Sequence, residues 1–267
     1  MPLKYPVLLV HGMGFRDGKR YNYWGRIPAF LEGLGCRVYY GGQDSNGTIE
    51  DNARFLSERV AQVLAESGSE KLNVIAHSKG GLDMRCAVSS LHTKGIASLT
   101  TVSTPHRGSK TMDAICRLPD FLIRFAGWCS DCCLRLQGDK HPDAYRVFLS
   151  FSAKNAELFN RRTPDSPDVY YQSYAFVMKN PFSDIFMLIP NLIVGIFDGE
   201  NDGLLSPESA RWGEFRGVFS GNTLRGISHC DEVDMRRSRL TRKKGSGVSD
   251  ITEVYEDIVR RLSEKGF

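Results

Sequence analysis

The chain has 267 residues, of which 41% are hydrophobic and 25% are charged, and its formal net charge is +4. A chain of this size and composition can bury a sizeable core and is typical of a globular protein with one large or two small domains. The charge is too small to indicate nucleic-acid binding, and no apolar run approaches the roughly 18 residues of a membrane span.

The N-terminal residues do not resemble a signal peptide, because a short apolar run leads into a His-Gly-Met-Gly stretch at 11–14 rather than a small-residue cleavage site. We therefore expect a cytoplasmic protein; secretion would require a leader ahead of this sequence. The odd number of cysteines, seven, favours reduced thiols. Cys129, Cys132 and Cys133 form a C-x-x-C-C group, but only His141 lies near it, so we interpret these thiols as part of an apolar helix.

The first hundred residues alternate short apolar runs with amphipathic segments. We predict strands at 5–10, 37–40, 72–76 and 98–103, and helices at 22–34, 49–64 and 79–91. Strands that alternate with helices indicate right-handed crossovers and a mainly parallel sheet. The predicted fold class is therefore α/β.

The alternation stops after the fourth strand. Residues 110–162 contain no clear strand but several helix-like pieces rich in bulky apolar side chains. Strand character returns at 169–177 and 192–197, and a final helix is predicted at 250–262, with Ser249 or Asp250 as its N-cap. We predict a single domain, 1–267, with an inserted helical cap or lid at 110–165, in which Phe121–Trp128 form a candidate wall or mobile lid.

Residues 236–244 carry six positive charges and are followed by Gly-Ser-Gly. Such a cluster can form a patch for an anionic surface, but a solvated loop is the interpretation that we favour.

A serine stands where an apolar run ends, in the segment V-I-A-H-S-K-G-G at 74–81. The pattern small-x-Ser-x-Gly is typical of a nucleophile elbow, with Ala76 at the position usually held by glycine. Such a turn exposes Ser78 at the carboxyl end of a strand and at the start of a helix, whose free N–H groups favour negative charge. The N–H of Lys79 then becomes a candidate oxyanion donor.

A serine nucleophile needs a base, and the base needs an orienting carboxylate, in the chain order Ser, acid, His. His229, in G-I-S-H-C-D-E-V-D, stands between the last strand-like segment and the final helix, where this order requires the base. Asp198 and Asp202 both follow the strand predicted at 192–197, and their spacing does not choose between them. The loop after the first strand offers the N–H of Met13 as a second oxyanion donor.

Five stretches, at 6–14, 74–81, 102–109, 199–205 and 228–234, together resemble the bacterial triacylglycerol lipases of the α/β-hydrolase superfamily. The resemblance implies an α/β-hydrolase fold and a full set of catalytic groups: Ser78 as nucleophile, Asp202 rather than Asp198 as acid, His229 as base, and the amides of Met13 and Lys79 as the oxyanion hole.

The resemblance implies no cofactor for the reaction itself. Related lipases often hold the histidine loop with calcium, through an aspartate two residues after the histidine, and Asp231 occupies that place. Calcium takes at least about six oxygen ligands, and residues 180–184 are the loosely matching source of others. The resemblance therefore raises the possibility of a structural calcium ion with Asp231 as one ligand.

The predicted function is hydrolysis of carboxylic esters through an acyl-enzyme intermediate. The apolar cap favours an ester or lipid substrate with an acyl chain beneath it, and a lipid–water interface as a partner. The same groups can act on thioesters or polyester chains, or can transfer the acyl group to an alcohol other than water. A non-catalytic binding module on this fold is a further alternative; it predicts damaged catalytic positions, and none is damaged here.

Overall fold

The computed structural model describes residues 2–17, 22–242 and 245–267. In these ranges, six strands form one sheet in the order β2-β1-β3-β4-β5-β6, and all neighbouring pairs are parallel. The strands are β1 (Val7–Val10), β2 (Val38–Tyr40), β3 (Leu72–His77), β4 (Ile96–Val102), β5 (Tyr170–Phe176) and β6 (Glu214–Phe219). The predicted fold class, a mainly parallel sheet flanked by helices, is confirmed.

Ten α-helices lie in the described ranges. They are α1 (Ile27–Gly33), α2 (Ile49–Ser67), α3 (Lys79–Ser90), α4 (Lys110–Ile115), α5 (Asp120–Gln137), α6 (Ala144–Ser150), α7 (Ala153–Arg162), α8 (Leu188–Phe197), α9 (Pro207–Ala210) and α10 (Thr252–Glu264). The final helix begins two residues later than predicted, and Asp250 accepts a hydrogen bond from its first amide instead of forming the N-cap.

The sheet is covered on both faces because its strands are apolar on both sides. In β1, Val7 and Leu9 pack in a core with α1 and α10, whereas Leu8 and Val10 pack in a second core with α2 and α3. This alternation follows from the two-residue period of a strand. Strands buried on both faces are typical of parallel sheets, and they leave the two sheet edges and the strand ends to carry function.

Helix α2 illustrates how local sequence sets the layers. Its N-cap is Thr48, whose hydroxyl accepts a hydrogen bond from the N–H of Asp51, and it ends at Gly68, which has a left-handed φ of 63°. Its buried stripe includes Ala53, Leu56 and Val60, as the helical spacing of these residues predicts. Burial of this stripe against the sheet stabilises the helix.

Two sequence predictions are corrected by the structure. The segment 192–197, predicted as a strand, belongs to helix α8. Residues 192–197 contain no polar side chain, and such an unbroken apolar run has no period that separates a buried strand from a helix. Strand β6 was not predicted, since it lies at the sheet edge and carries Glu214 and Arg216 among its apolar residues.

Four helices, α4 to α7, fill the segment between β4 and β5. They are fastened to the loop that follows β2. The carboxylate of Asp139 accepts hydrogen bonds from the amides of Ser45 and Asn46, and the side chain of Asn46 donates to Asp131 on α5. The segment therefore has a fixed anchor on the sheet side.

Candidate active site

Ser78 lies at the joint between β3 and α3 with φ 53° and ψ −130°. A residue with a side chain is strained in this region, at a cost of about 1–3 kcal/mol. Neighbouring groups hold the turn: the N–H of Ser78 donates to the carbonyl of Val102, and its carbonyl accepts from the hydroxyl of Thr104. The half-buried serine side chain therefore stands at the carboxyl edge of the sheet.

The loop after β1 approaches this turn closely. A Cβ atom on Gly12 would lie 2.7 Å from Cβ of Ser78, and one on Gly80 would lie 2.4 Å from the carbonyl oxygen of His11. Only glycine permits these approaches. Met13 follows Gly12 in the loop, and among the residues that the structure describes the amides of Met13 and Lys79 donate no hydrogen bond.

Asp202 and His229 form a buried hydrogen-bonded pair, with Oδ2 of the aspartate 2.9 Å from Nδ1 of the histidine. The other carboxylate oxygen accepts from the amides of Leu204 and Leu205. Burial raises the pKa of Asp202, but the charge of His229 and the hydrogen bonds to the carboxylate outweigh burial and leave that pKa below its ordinary value. Asp202 is therefore suited to remain ionised and to orient the imidazole.

Both loops return to the carboxyl end of β5. The amide of Met178 donates to the carbonyl of Asn201, and the amide of Ile227 donates to the carbonyl of Val177. The prediction that a strand at 192–197 precedes Asp202 is wrong. The loop that carries Asp202 lies at the end of β5, with α8 inserted between β5 and this loop.

Asp198, the other acid considered, lies elsewhere. Its carboxylate accepts hydrogen bonds from the hydroxyls of Ser109 and Thr111 and from the amides at the start of α4. Burial raises the pKa of Asp198, and these hydrogen bonds lower it to a net value below normal. Asp198 therefore fastens the start of α4, and Asp202 is the acid that the structure pairs with His229.

His229 lies beside the strained serine turn. Its ring packs against that of His77, the residue that precedes Ser78, with 4.4 Å between ring centroids. The structure thus gathers the Asp202–His229 pair and Ser78 at one edge of the sheet.

Sequence reasoning missed a buried group behind this pair. Glu232 Oε2 lies 3.0 Å from Nε2 of His77 and 3.8 Å from Nδ1 of His229, and the hydroxyl of Tyr23 lies 2.7 Å from Nδ1 of His77. Burial, followed by the charge of Asp202, raises the pKa of Glu232 well above normal; burial, followed by the charge of His229, lowers that of His77. Both shifts favour the neutral form of the side chain, and the two side chains form an internal support for the catalytic histidine candidate.

Asp231 does not offer a site that fits calcium. Its carboxylate receives two hydrogen bonds from Arg225, and Arg236 lies 3.3 Å from it. Two guanidinium groups thus lie against the oxygens that a cation would need, and a calcium ion takes about six to eight oxygen ligands.

Apolar side chains are exposed on helix α5 and around helix α8. On α5 these are Phe121, Phe125 and Trp128; around α8 they include Phe182 and Ile185, which are 83% and 80% exposed. Helix α8 contacts α4. Within residues 2–17, 22–242 and 245–267, no helix has both the length and the hydropathy that crossing a membrane requires.

Comparisons with known proteins identify the family of this chain and several of its relatives. A family model described as Palmitoyl protein thioesterase matches residues 6–179. Triacylglycerol lipase 2 of Saccharomyces cerevisiae is 31% identical over 260 residues, which cover 92% of this chain and 74% of the yeast protein. The triacylglycerol lipase of Pseudomonas fragi is 25% identical over 303 residues, covering 98% of this chain and 97% of that protein. The relatives are therefore not confined to bacteria.

Solved structures agree on the fold. The mature lipase BlEst2 of Bacillus licheniformis has a TM-score of 0.70 at 18% identity and covers 98% of this chain and 93% of its own. The metagenomic carboxyl esterase MGS0156 has a TM-score of 0.73 at 18% identity and covers 98% of this chain and 76% of its own. The chain thus belongs to the palmitoyl protein thioesterase family, has the α/β-hydrolase fold of the lipases, and is a serine hydrolase that acts on carboxylic esters.

Proposed function

We propose that Ser78, Asp202 and His229 form the catalytic triad of this hydrolase. The observation that carries the proposal is the buried 2.9 Å contact between Asp202 and His229, located beside a serine whose φ is 53°. The carboxylate-oriented imidazole is the base that activation of a serine hydroxyl requires, and the strained turn presents that hydroxyl at the edge of the sheet.

In the proposed mechanism, Asp202 binds Nδ1 of His229, so Nε2 is the nitrogen that accepts the proton of the Ser78 hydroxyl. The serine oxygen then forms a bond to the ester carbonyl carbon, and the carbonyl oxygen becomes an anion. The amides of Met13 and Lys79 bind this oxyanion, each contributing about 3 kcal/mol.

Collapse of the tetrahedral intermediate breaks the ester bond. His229 returns its proton to the leaving alcohol, and the acyl group remains on Ser78. Water attacks the acyl-enzyme by the same route, with His229 taking a proton from the water and returning it to Ser78 as the acid is released.

The proposed substrates are acylglycerols at a lipid–water interface, with the helices of residues 110–165 as a cap over the acyl chain in a single domain. Uncharged residues 185–197 and the exposed aromatic residues of α5 support this choice, because an apolar face beside an ester-hydrolase site matches a lipid surface. The names of the yeast and Pseudomonas relatives also favour acylglycerol.

A thioester substrate is the second candidate, and the family model described as Palmitoyl protein thioesterase favours it. Thioesters and esters share the same acyl-enzyme, so the triad does not discriminate between them. Initial rates on emulsified triacylglycerol and on palmitoyl-coenzyme A, measured with one enzyme preparation, will separate the two. A higher kcat/KM for the thioester would replace the acylglycerol proposal.

A fluorophosphonate probe tests the triad directly. We expect the wild-type chain to be labelled at Ser78, and Ser78→Ala to remain unlabelled. The variant Ser69→Ala, at a half-buried serine whose hydroxyl donates to the carbonyl of Lys71, is the matched control and should label like wild type. Absence of labelling at Ser78 in the presence of detergent, which opens a closed cap, would contradict the proposal.

A further inference from the structure

The loop that carries His229 contacts a cluster of oxygen atoms and two arginines, which we call the arginine clamp. The oxygens belong to the carboxylates of Asp184 and Asp231 and to the carbonyl of Ser183; the cations are Arg225 and Arg236. Both aspartates are 2% exposed, so their charges cannot rely on water.

Arg225 binds one side of the cluster. Its Nη2 donates to both carboxylate oxygens of Asp231, at 2.7 and 2.6 Å, and its Nε donates to the carbonyl of Ser183 at 2.8 Å. Two contacts from one guanidinium group to one carboxylate and a third to a carbonyl fix the orientation of both partners.

Arg236 bridges the two aspartates. Its Nη2 lies 2.9 Å from the carbonyl of Ser183 and 3.3 Å from Oδ2 of Asp184, and its Nε lies 3.3 Å from Oδ1 of Asp231. Arg236 is the first residue of the basic segment interpreted from sequence as a solvated loop; its side chain is 40% exposed, and its guanidinium group also makes these contacts. Lys243 and Lys244, the last residues of the segment, lie outside the described residues.

The clamp connects directly to the backbone beside the catalytic histidine candidate. The Ser228 hydroxyl donates to Asp184 at 2.7 Å, and the Ser228 amide lies 3.1 Å from Oδ2 of Asp231. Ser228 is fully buried and precedes His229. A shift of either aspartate would therefore move the backbone that sets the position of the imidazole.

We propose that Arg225 and Arg236 are positioning residues that hold the His229 loop in place of a metal ion, so that the wild-type enzyme needs no calcium. Two carboxylates and a carbonyl are the oxygen ligands that calcium prefers, and two guanidinium groups already neutralise and bind them. The positioning role rests on the proposed function, since it acts through His229.

The first test uses the wild-type chain. We expect EDTA to leave kcat and Tm unchanged, and calcium titrated by calorimetry to give no binding heat. A fall in Tm with EDTA, restored by calcium, would overturn the proposal. Fluorophosphonate labelling of Ser78 in the same samples tests the triad separately. If Ser78 is labelled but the enzyme needs calcium, the proposed triad stands and the proposal for the arginine clamp fails.

The second test removes the cations. For Arg225→Gln/Arg236→Gln we expect a kcat lower by about tenfold or more with a much smaller change in KM. Millimolar calcium should restore part of both kcat and Tm in this variant. If the substitutions only damaged the fold in general, calcium would restore neither quantity. Arg225→Lys/Arg236→Lys keeps the positive charges but loses the paired N–H donors of the guanidinium groups. Its kcat and Tm should lie between those of wild type and those of the glutamine double variant.

The matched control is Arg239→Gln/Arg242→Gln, from the same basic segment, which should behave like wild type with and without calcium. If the glutamine double variant does not fold, Arg236→Gln alone provides the same calcium comparison. If calcium does not restore the kcat lost in these variants, the proposal that the two arginines take the place of a metal ion is contradicted.

Discussion

Nε2 of His77 and Oε2 of Glu232 lie 3.0 Å apart in the protein interior, directly behind the pair that Asp202 forms with His229. Neither side chain is exposed, and their pKa values move in the directions that make both neutral. The neutral forms that these shifts favour support the site without adding a second negative charge next to Asp202.

The raised pKa of Glu232 makes stability depend on pH. Below the ordinary value of 4.5 the carboxyl is protonated in both the folded and the unfolded chain. Above it, the unfolded carboxyl ionises while the folded one stays neutral, so the free energy of unfolding falls as pH rises towards the folded pKa. Glu232→Gln cannot ionise and does not share this loss.

We therefore expect the Tm of Glu232→Gln, relative to wild type, to rise as the pH increases above the ordinary glutamate value of 4.5. Thermal unfolding at several pH values measures it, with the exposed Glu256→Gln as control. A difference that stays flat or falls with pH would show that Glu232 is ionised in the folded protein.

Ser78→Ala should lower kcat by about a millionfold, as removal of a triad nucleophile does, while leaving Tm almost unchanged. Ser78→Gly should be equally inactive but more stable than Ser78→Ala by about 1 kcal/mol, because glycine accepts the φ of 53° without strain. Denaturant unfolding of both variants measures the difference. Large destabilisation by Ser78→Ala would indicate a structural serine.

The two candidate acids give opposite predictions. Asp202→Asn should lower kcat by about ten-thousandfold, because the amide binds the wrong tautomer of His229. Asp198→Asn removes the charge at the start of α4, so we expect a lower Tm with kcat on a soluble ester changed little. Steady-state kinetics and thermal unfolding of both variants make the comparison. Equal losses of kcat would contradict the assignment of the acid.

The serine turn could be predicted from sequence because it rests on a short local pattern. The pairing of Asp202 with His229 was implied by the resemblance to the lipases, because spacing alone did not choose between Asp198 and Asp202. The contacts that support them could not, since they join distant positions: His77 and Glu232 are 155 residues apart, and Arg236 reaches back to Asp184. The prediction of a strand at 192–197 was wrong for another reason. An apolar run without polar interruption satisfies both strand and helix patterns, and only its exposed position in the structure distinguishes them.

That exposed position leads to a prediction about lipid. Ile189 and Ile196 on α8 are 65% and 75% exposed, and aspartate at both sites would place charge on the face proposed to meet the lipid surface. We expect Ile189→Asp/Ile196→Asp to lower the rate on emulsified triacylglycerol at least about tenfold, since each buried apolar side chain contributes about 1.5–3 kcal/mol. Hydrolysis of soluble p-nitrophenyl butyrate should be nearly unchanged. Leu91→Asp, at an exposed leucine at the end of α3, controls for surface charge alone. If both substrates lose rate equally, α8 serves the reaction or the fold rather than the interface.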